Sequence, residues 1–276
     1  MSPVTLQAAL DEARGQMDPL DARVLLCHAI ARDTAYVLAH PEAALRAAEL
    51  ESYRALIARR AKGEPVAYLT GEREFYGRSF QVSPAVLIPR PETELLVDLA
   101  LERIPPDAPS RVLDHGTGSG CIAIALASER SHAKILALDQ SVEALGVARR
   151  NAVAAHVGNV AFLQSDWFSA LGRELFNLIV SNPPYVASGD PHLGEGDLRF
   201  EPRAALDGGA DGLDAIRRIV AEAKSHLGPG GWLMFEHGYD QGERARLLLH
   251  GAGYEGIFTA HDLAGTDRVS AGRLTP

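Results

Sequence analysis

The segment Asn182-Pro183-Pro184-Tyr185 contains the residues of this chain best suited to chemistry. It directly follows an apolar run at 176–181 that predicts a buried strand. The two prolines remove two N–H donors and fix two φ angles, so the chain must leave the sheet as a stiff, extended loop. The backbone carbonyls of this loop and the Asn182 side-chain oxygen then have few hydrogen-bond donors nearby. These acceptors suit the binding of a planar group that carries N–H bonds. Taken alone, the tetrapeptide is better explained as an ordinary proline-rich loop.

A glycine-rich turn lies about seventy residues upstream, between a short apolar strand and a helix predicted at 121–127. Glycine permits positive φ and close approach of a ligand, and a helix start offers N–H groups to a polar or anionic group. The spacing is Gly-x-Gly-x-Gly, not that of dinucleotide-binding proteins. A second strand ends at Asp139, where a nucleoside-binding fold places the acid that binds ribose. A purely structural turn is the alternative, but Asp139 favours a nucleoside site.

Together with Ser165-Asp166-Trp167, these motifs occur in the order found in class I methyltransferases, which use S-adenosylmethionine, and the chain resembles that class. Four further segments narrow the resemblance to the release factor glutamine methyltransferases. These are residues 73–77 (REFYG), 86–94 (VLIPRPETE), 200–206 (FEPRAAL) and 236–238 (EHG). The resemblance covers nearly the whole chain. Two residues depart from the family pattern: His115 stands where an aliphatic residue is expected, and Gln140 follows the acid expected to bind ribose. Neither departure affects the expected chemistry.

The resemblance implies a role for each site residue. The Asn182 side-chain oxygen and the Pro183 carbonyl would accept the two N–H bonds of a glutamine amide, Pro184 would help to shape the pocket, and the Tyr185 ring would pack on the amide. The cofactor would be S-adenosylmethionine, bound by Gly116, Thr117, Gly118, Ser119, Gly120, Asp139, Asp166, Trp167 and Asn182. A core position is the alternative for Trp167. No metal is expected, and no general base is assigned, since Glu92 and Glu236 are equally well explained as structural carboxylates.

The function that the resemblance implies is methylation of N5 of the glutamine in the Gly-Gly-Gln motif of bacterial peptide chain release factors, which modulates translation termination. The alternatives are an adenine or cytosine N-methyltransferase acting on DNA or RNA, and a non-enzymatic ligand-sensing module. A net charge of −9 and the lack of a basic, target-reading insertion argue against nucleic acid. The complete acceptor loop argues against a module without activity.

Composition indicates a folded, cytoplasmic protein. Hydrophobic residues make up 46% of 276 positions, enough for a sizeable core. Cys27 and Cys121 lie far apart in apolar patterns and are expected to be core thiols in a reducing compartment. No segment approaches the roughly 20 apolar residues that would cross a bilayer, so no membrane association is expected.

Three segments must position these residues: a helical domain at 1–71 that recognises the substrate, a β-hairpin linker at 72–89 and a methyltransferase domain at 90–276. Helix starts are predicted at Asp18-Pro19, Asp33-Thr34 and His40-Pro41-Glu42. Strands alternating with helices beyond residue 110 predict a Rossmann-like α/β fold with a mainly parallel sheet, and the resemblance adds an antiparallel edge hairpin. Phe75, Tyr76 and Arg90 are candidates for the substrate entry, although an aromatic hairpin packed between domains explains the first two as well.

Overall fold

The structure is a computed structural model, and it describes residues 3–275. The chain divides into two compact units, one up to Glu72 and one from Arg73 onwards. Within the described residues, none of the helices combines the length and the apolar character needed to span a membrane. The assignment of separate roles to 1–71, 72–89 and 90–276 stays a prediction.

The first unit is helical. Its helices are α1 (Leu6–Glu12), α2 (Pro19–Ile30), α3 (Thr34–Ala39), α4 (Ala47–Arg60) and α5 (Val66–Thr70). Asp18 and Asp33 cap α2 and α3 by accepting from backbone N–H groups, which confirms two of the predicted helix starts. The start predicted at residues 40–42 is wrong: His40 ends α3, a turn follows, and the next helix begins at Ala47. Leu25, Leu26 and Tyr53 are buried in this unit's own core.

The second unit is an α/β fold around a seven-stranded sheet, preceded by a hairpin of β1 (Glu72–Phe75) and β2 (Arg78–Gln81). The other strands are β3 (Ser110–His115), β4 (Ala133–Asp139), β5 (Val160–Gln164), β6 (Phe176–Ser181), β7 (Leu227–Glu236), β8 (Glu255–His261) and β9 (Asp267–Arg273). The helices are α6 (Glu94–Leu101), α7 (Cys121–Glu129), α8 (Val142–Ala154), α9 (Asp214–Ala223) and α10 (Gly242–Gly251). A 3-10 turn at Pro91–Thr93 precedes α6.

The strand order is β5-β4-β3-β6-β7-β9-β8. The first five strands are parallel, and β9 and β8 add an antiparallel edge, which confirms the predicted fold class. The chain proceeds from β3 outward through β4 and β5 and returns to β6 on the other side of β3. Loops therefore diverge at the carboxyl ends of β3 and β6, which is where open α/β sheets bind ligands.

Apolar side chains cover both faces of this sheet. Val112 and Leu178 contribute to one buried cluster, and their chain neighbours Leu113 and Ile179 contribute to the opposite one, as the two-residue period of a strand requires. Residues 121–127 of α7 are all buried, so the helix is apolar on every side. Burial on both faces fixes the register of β3 and β6, and it therefore fixes the positions of the loops that leave them.

Candidate active site

A cavity of about 200 Å³ lies at the carboxyl ends of β3, β4 and β6. Most of the residues predicted from the sequence line it: Gly116, Thr117, Gly118, Ser119, Asp139, Trp167, Asn182, Pro183 and Pro184. Gly120, Asp166 and Tyr185 are not among the lining residues. Asp166 is exposed, and Gly120 is buried beneath the turn. The structure thus brings together motifs that are up to seventy residues apart in the chain.

The glycine turn uses positive φ at Gly116, Gly118 and Gly120, with values of 76°, 54° and 83°. A Cβ on Gly120 would lie 3.0 Å from the Cβ of Ala148 and 3.0 Å from Cδ1 of Ile124, so this glycine allows α7 and α8 to pack. The turn offers fewer free donors than its sequence suggests. The N–H groups of Gly116 and Thr117 donate to the carbonyl of Leu138, at 3.0 and 2.8 Å.

Asp114 anchors the same turn, a role that the sequence analysis did not assign. Its side chain is fully buried, and Oδ2 accepts from Thr117 Oγ1 at 2.6 Å and from the N–H of Ala123 at 3.2 Å. Among the residues that the structure describes, none forms a hydrogen bond with Oδ1. Burial raises the pKa of Asp114 to about 7, against the opposing effect of its hydrogen bonds. An acid inside a strand and directly before a glycine turn is the signal that could have identified it.

Asp139 ends β4 beside the turn and lines the cavity. Its Oδ2 accepts from the N–H of Gly118 at 2.8 Å, and its Oδ1 accepts from the N–H of Ser141 at 2.9 Å. Burial raises the pKa of Asp139, and these backbone hydrogen bonds oppose the rise. A carboxylate has about four acceptor positions, so each oxygen keeps one for the hydroxyl of a ligand.

Trp167 forms the wall of the cavity beyond β5 and has a left-handed backbone, with φ of 53°. Such a conformation is strained for a large residue and tends to occur at functional sites. Ser165 Oγ stabilises it by donating to the Trp167 carbonyl at 2.6 Å. The Arg218 guanidinium lies 4.5 Å from the centre of the indole, which orients the ring.

His115 lines the cavity beside Trp167. Its ring centroid lies 5.3 Å from that of Trp167 and 4.7 Å from that of Phe168. Burial lowers the pKa of His115 to about 4, so the ring is neutral at pH 7. His115, which stands in place of an aliphatic residue, therefore packs as a neutral aromatic ring.

The Asn182–Tyr185 segment is held from several sides. Ser181 Oγ donates to the His115 carbonyl at 2.7 Å, and Gln241 Nε2 donates to the Tyr185 carbonyl at 2.9 Å. Asn182 Nδ2 donates to Thr93 Oγ1 at 3.1 Å, and the Tyr185 hydroxyl donates to Glu236 Oε1 at 3.0 Å. Burial raises the pKa of Tyr185, so the phenol stays protonated. Both polar side chains of the loop are thus fixed by buried partners.

Arg90 also lines the cavity, as the sequence suggested, and it pairs with the fully buried carboxylate of Glu201. Glu201 Oε2 accepts from the N–H of Ile88 at 2.9 Å as well, so one acid holds two points of the 86–94 segment. Phe75 and Tyr76 do not line the cavity. Phe75 packs edge-on against Phe80 inside the core, with centroids 6.1 Å apart.

The fold and the site are those of a class I methyltransferase. They combine an open, mainly parallel sheet, a glycine turn followed by an acid, and the Asn182 loop at the topological switch point of the sheet. Solved structures agree: a methyltransferase from Pyrococcus furiosus superposes with a TM-score of 0.55 at 17% identity, over 79% of this chain and 98% of that one. Family models match as the PrmC N-terminal domain at residues 5–71 and the methyltransferase small domain at residues 93–194.

The chain belongs to the release factor glutamine methyltransferase family. A member from Xylella fastidiosa (strain Temecula1) is 51% identical over 272 residues, which are 99% of this chain and 98% of the relative. A member from Burkholderia pseudomallei (strain K96243) is 53% identical over 264 residues, which are 94% of this chain and 93% of the relative.

Proposed function

We propose that this protein transfers the methyl group of S-adenosylmethionine to N5 of the glutamine in the Gly-Gly-Gln motif of bacterial peptide chain release factors, in the cytoplasm. The observation that carries the proposal is the Asn182-Pro183 corner on the wall of the cavity, at the switch point of the sheet and next to the glycine turn. The names of relatives that match nearly the whole chain support the substrate.

The residues of the cavity fit the cofactor. Asp139 has acceptor capacity for ribose hydroxyls, and Trp167 offers an aromatic wall for adenine. Ser119 lines the cavity, and its buried Oγ, near the Cys121 thiol, has no nitrogen or oxygen partner among residues 3–275, which suits a polar ligand atom. The exposed Asp166 directly precedes Trp167 and is proposed to accept from the adenine amino group. When bound, the cofactor supplies a methyl group on a positively charged sulfur.

The task of the protein is to activate a poor nucleophile. The lone pair of an amide nitrogen is delocalised into its carbonyl, so the nitrogen reacts only when its N–H bonds are held and positive charge on it is stabilised. The Asn182 side-chain oxygen and the Pro183 carbonyl are the acceptors proposed for those two bonds, and Tyr185 is proposed to pack on the amide. Fixed acceptors of this kind act by positioning and by preorganised electrostatics.

Methyl transfer from radiolabelled S-adenosylmethionine to purified release factor tests the function. We expect one methyl group per release factor, located by mass spectrometry on the glutamine of the motif. A release factor with that glutamine replaced by alanine is the control, and equal labelling of both forms would contradict the proposal. Labelling of RNA or DNA instead would favour the nucleic-acid alternative, which no observation in the structure supports.

A further inference from the structure

Behind the Asn182 corner lies a short chain of hydrogen bonds between buried side chains. Asn182 Nδ2 lies 3.1 Å from Thr93 Oγ1, and Thr93 Oγ1 lies 2.6 Å from Glu236 Oε2. The other oxygen of Glu236 lies 3.0 Å from the Tyr185 hydroxyl. Thr93 and Glu236 are 2% and 1% exposed, so both lie away from bulk solvent. One buried carboxylate therefore connects to both polar side chains of the acceptor loop.

The chemistry of these groups determines which of them donates and which accepts in each hydrogen bond. When Glu236 is ionised, its carboxylate only accepts hydrogen bonds, so Thr93 must then direct its single hydroxyl proton to Glu236. The lone pairs of that hydroxyl then accept from an N–H group, and the Asn182 amide presents its nitrogen to Thr93. Since the amide is planar, its oxygen lies on the other side of the group. An asparagine without such a partner could present either end to a ligand.

We propose that Thr93 and Glu236 are positioning residues, which lock the Asn182 amide with its oxygen free to accept an N–H bond from the substrate. This inference rests on the proposed function and deepens it. The same carboxylate accepts a hydrogen bond from the Tyr185 hydroxyl and so fixes the second side chain of the loop. Thr93 lines the cavity and Glu236 does not, and the role proposed for both is exerted through Asn182 and Tyr185.

This fixed orientation of the Asn182 amide, called the lock below, depends on the charge of Glu236. If this acid gains a proton on Oε2, Thr93 can accept from it and donate to Asn182, which would turn the amide nitrogen toward the substrate. Burial raises the pKa of Glu236 above its ordinary value. Hydrogen bonds from Thr93 and Tyr185 and the positive charge of Arg268 lower this pKa. The negative charge of Glu92 raises it. The buried Cys121 thiol also interacts electrostatically with Glu236. Turnover should therefore increase as pH rises through the ionisation of Glu236.

Two substitutions at one position test the lock. Thr93→Val keeps the shape and removes the hydroxyl, and we expect kcat to fall at least 10-fold while KM for release factor and the Kd of S-adenosylmethionine stay within 3-fold. Thr93→Ser restores the hydroxyl and should return kcat to within 3-fold of wild type. Thr259→Val removes a hydrogen-bonded hydroxyl on β8, outside the cavity, and should leave kcat unchanged. Wild-type kcat in Thr93→Val, or equal losses in the Val and Ser variants, would overturn the proposal.

A second readout does not depend on activity. The chain has four asparagines, at 151, 159, 177 and 182, so ¹⁵N-asparagine labelling gives four side-chain amide pairs in an NMR spectrum. Thr93→Val should shift the Asn182 pair and Thr93→Ser should not; an unshifted pair in Thr93→Val overturns the lock. If wild type fails to methylate release factor while the Asn182 pair shifts, the proposed function fails and the lock stands. If wild type methylates and Thr93→Val matches its kcat, the lock fails and the function stands.

Discussion

At the scale of single residues, Asn182 is the side chain on which the proposed chemistry depends most. Asn182→Ala removes one directed acceptor, and the loss of one such group typically reduces turnover by about 10² to 10³. We expect that reduction in kcat, with cofactor affinity within a few-fold of wild type. Asn177→Ala, at an exposed asparagine of β6 outside the cavity, is the matched control. An unchanged kcat in Asn182→Ala would remove the acceptor role.

Asp139 is expected to act on binding instead. Its carboxylate would accept from ribose hydroxyls, and hydrogen bonds to a charged group contribute about 1.5–3 kcal/mol each. Asp139→Ala should therefore weaken S-adenosylmethionine binding by at least about 10-fold in calorimetry. Asp107→Ala, an exposed acid outside the cavity, controls for the loss of one negative charge. Undiminished affinity in Asp139→Ala would exclude this residue from the cofactor site.

His115 predicts a pH dependence of stability. Its pKa falls from an ordinary value of 6.5 to about 4 on folding, so the unfolded chain binds more protons between these values. The contribution of His115 to stability is therefore complete above about pH 6.5 and is lost as pH falls toward 4, a difference of up to about 3 kcal/mol. His115→Leu should flatten this part of the curve of unfolding free energy against pH. Parallel curves for the two proteins would contradict the prediction.

The sequence predicted most of the cavity wall because those residues sit at strand ends or in a glycine turn, where local pattern is informative. It could not predict the partners of Asn182. Thr93 is 89 positions away in the chain, and Glu236 is 143 positions from Thr93. Their contact arises because β6 and β7 are neighbours in the sheet and the segment before α6 packs beneath their ends. Such contacts depend on tertiary packing, which local patterns do not encode.

At the scale of elements, Gly120 ends the glycine turn and also lies where α7 packs against α8. Gly120→Ala adds a methyl group at φ of 83° and places it 3.0 Å from Ala148 Cβ and 3.3 Å from Ala148 Cα. Strain and overpacking together should cost about 1–3 kcal/mol of unfolding free energy. Gly158→Ala is the control, since a Cβ there meets nothing within 4 Å. Chemical denaturation gives both values, and equal stability of the two variants would refute the packing role.

Element boundaries were predicted less well than element types. The apolar run at 232–235 by itself predicts a short strand, whereas the observed β7 begins at Leu227 and includes the glycines at 228, 230 and 231. The sequence at 212–227 by itself predicts one helix, whereas the observed α9 is shorter and is followed by a 3-10 turn at Lys224–His226. β7 pairs with β6 at Leu227 and again from Trp232, and residues 228–231 form the irregularity between these paired positions, so the strand includes glycines whose local preference is for turns.

At the scale of the whole molecule, the helical unit has no residue assigned to chemistry. We propose that it recognises the protein substrate, because binding energy remote from the reacting atoms can position them. Deletion of residues 1–71 should then reduce kcat/KM for intact release factor far more than for a short Gly-Gly-Gln peptide. The comparison requires a temperature at which the shortened protein stays folded. Equal losses on both substrates would indicate that the helices only stabilise the rest of the chain.

The hydrogen bonds inside the glycine turn have a consequence for ligand choice. The N–H groups of Gly116, Thr117 and Gly118 already donate to the Leu138 carbonyl and the Asp139 carboxylate, and that carboxylate lies beside the turn. Phosphate recognition needs free N–H donors and no negative charge nearby. We therefore expect the turn to favour S-adenosylmethionine over ATP and NAD, which share adenosine with it but carry phosphates. A site built in this way stays open to its own cofactor among an excess of adenine nucleotides.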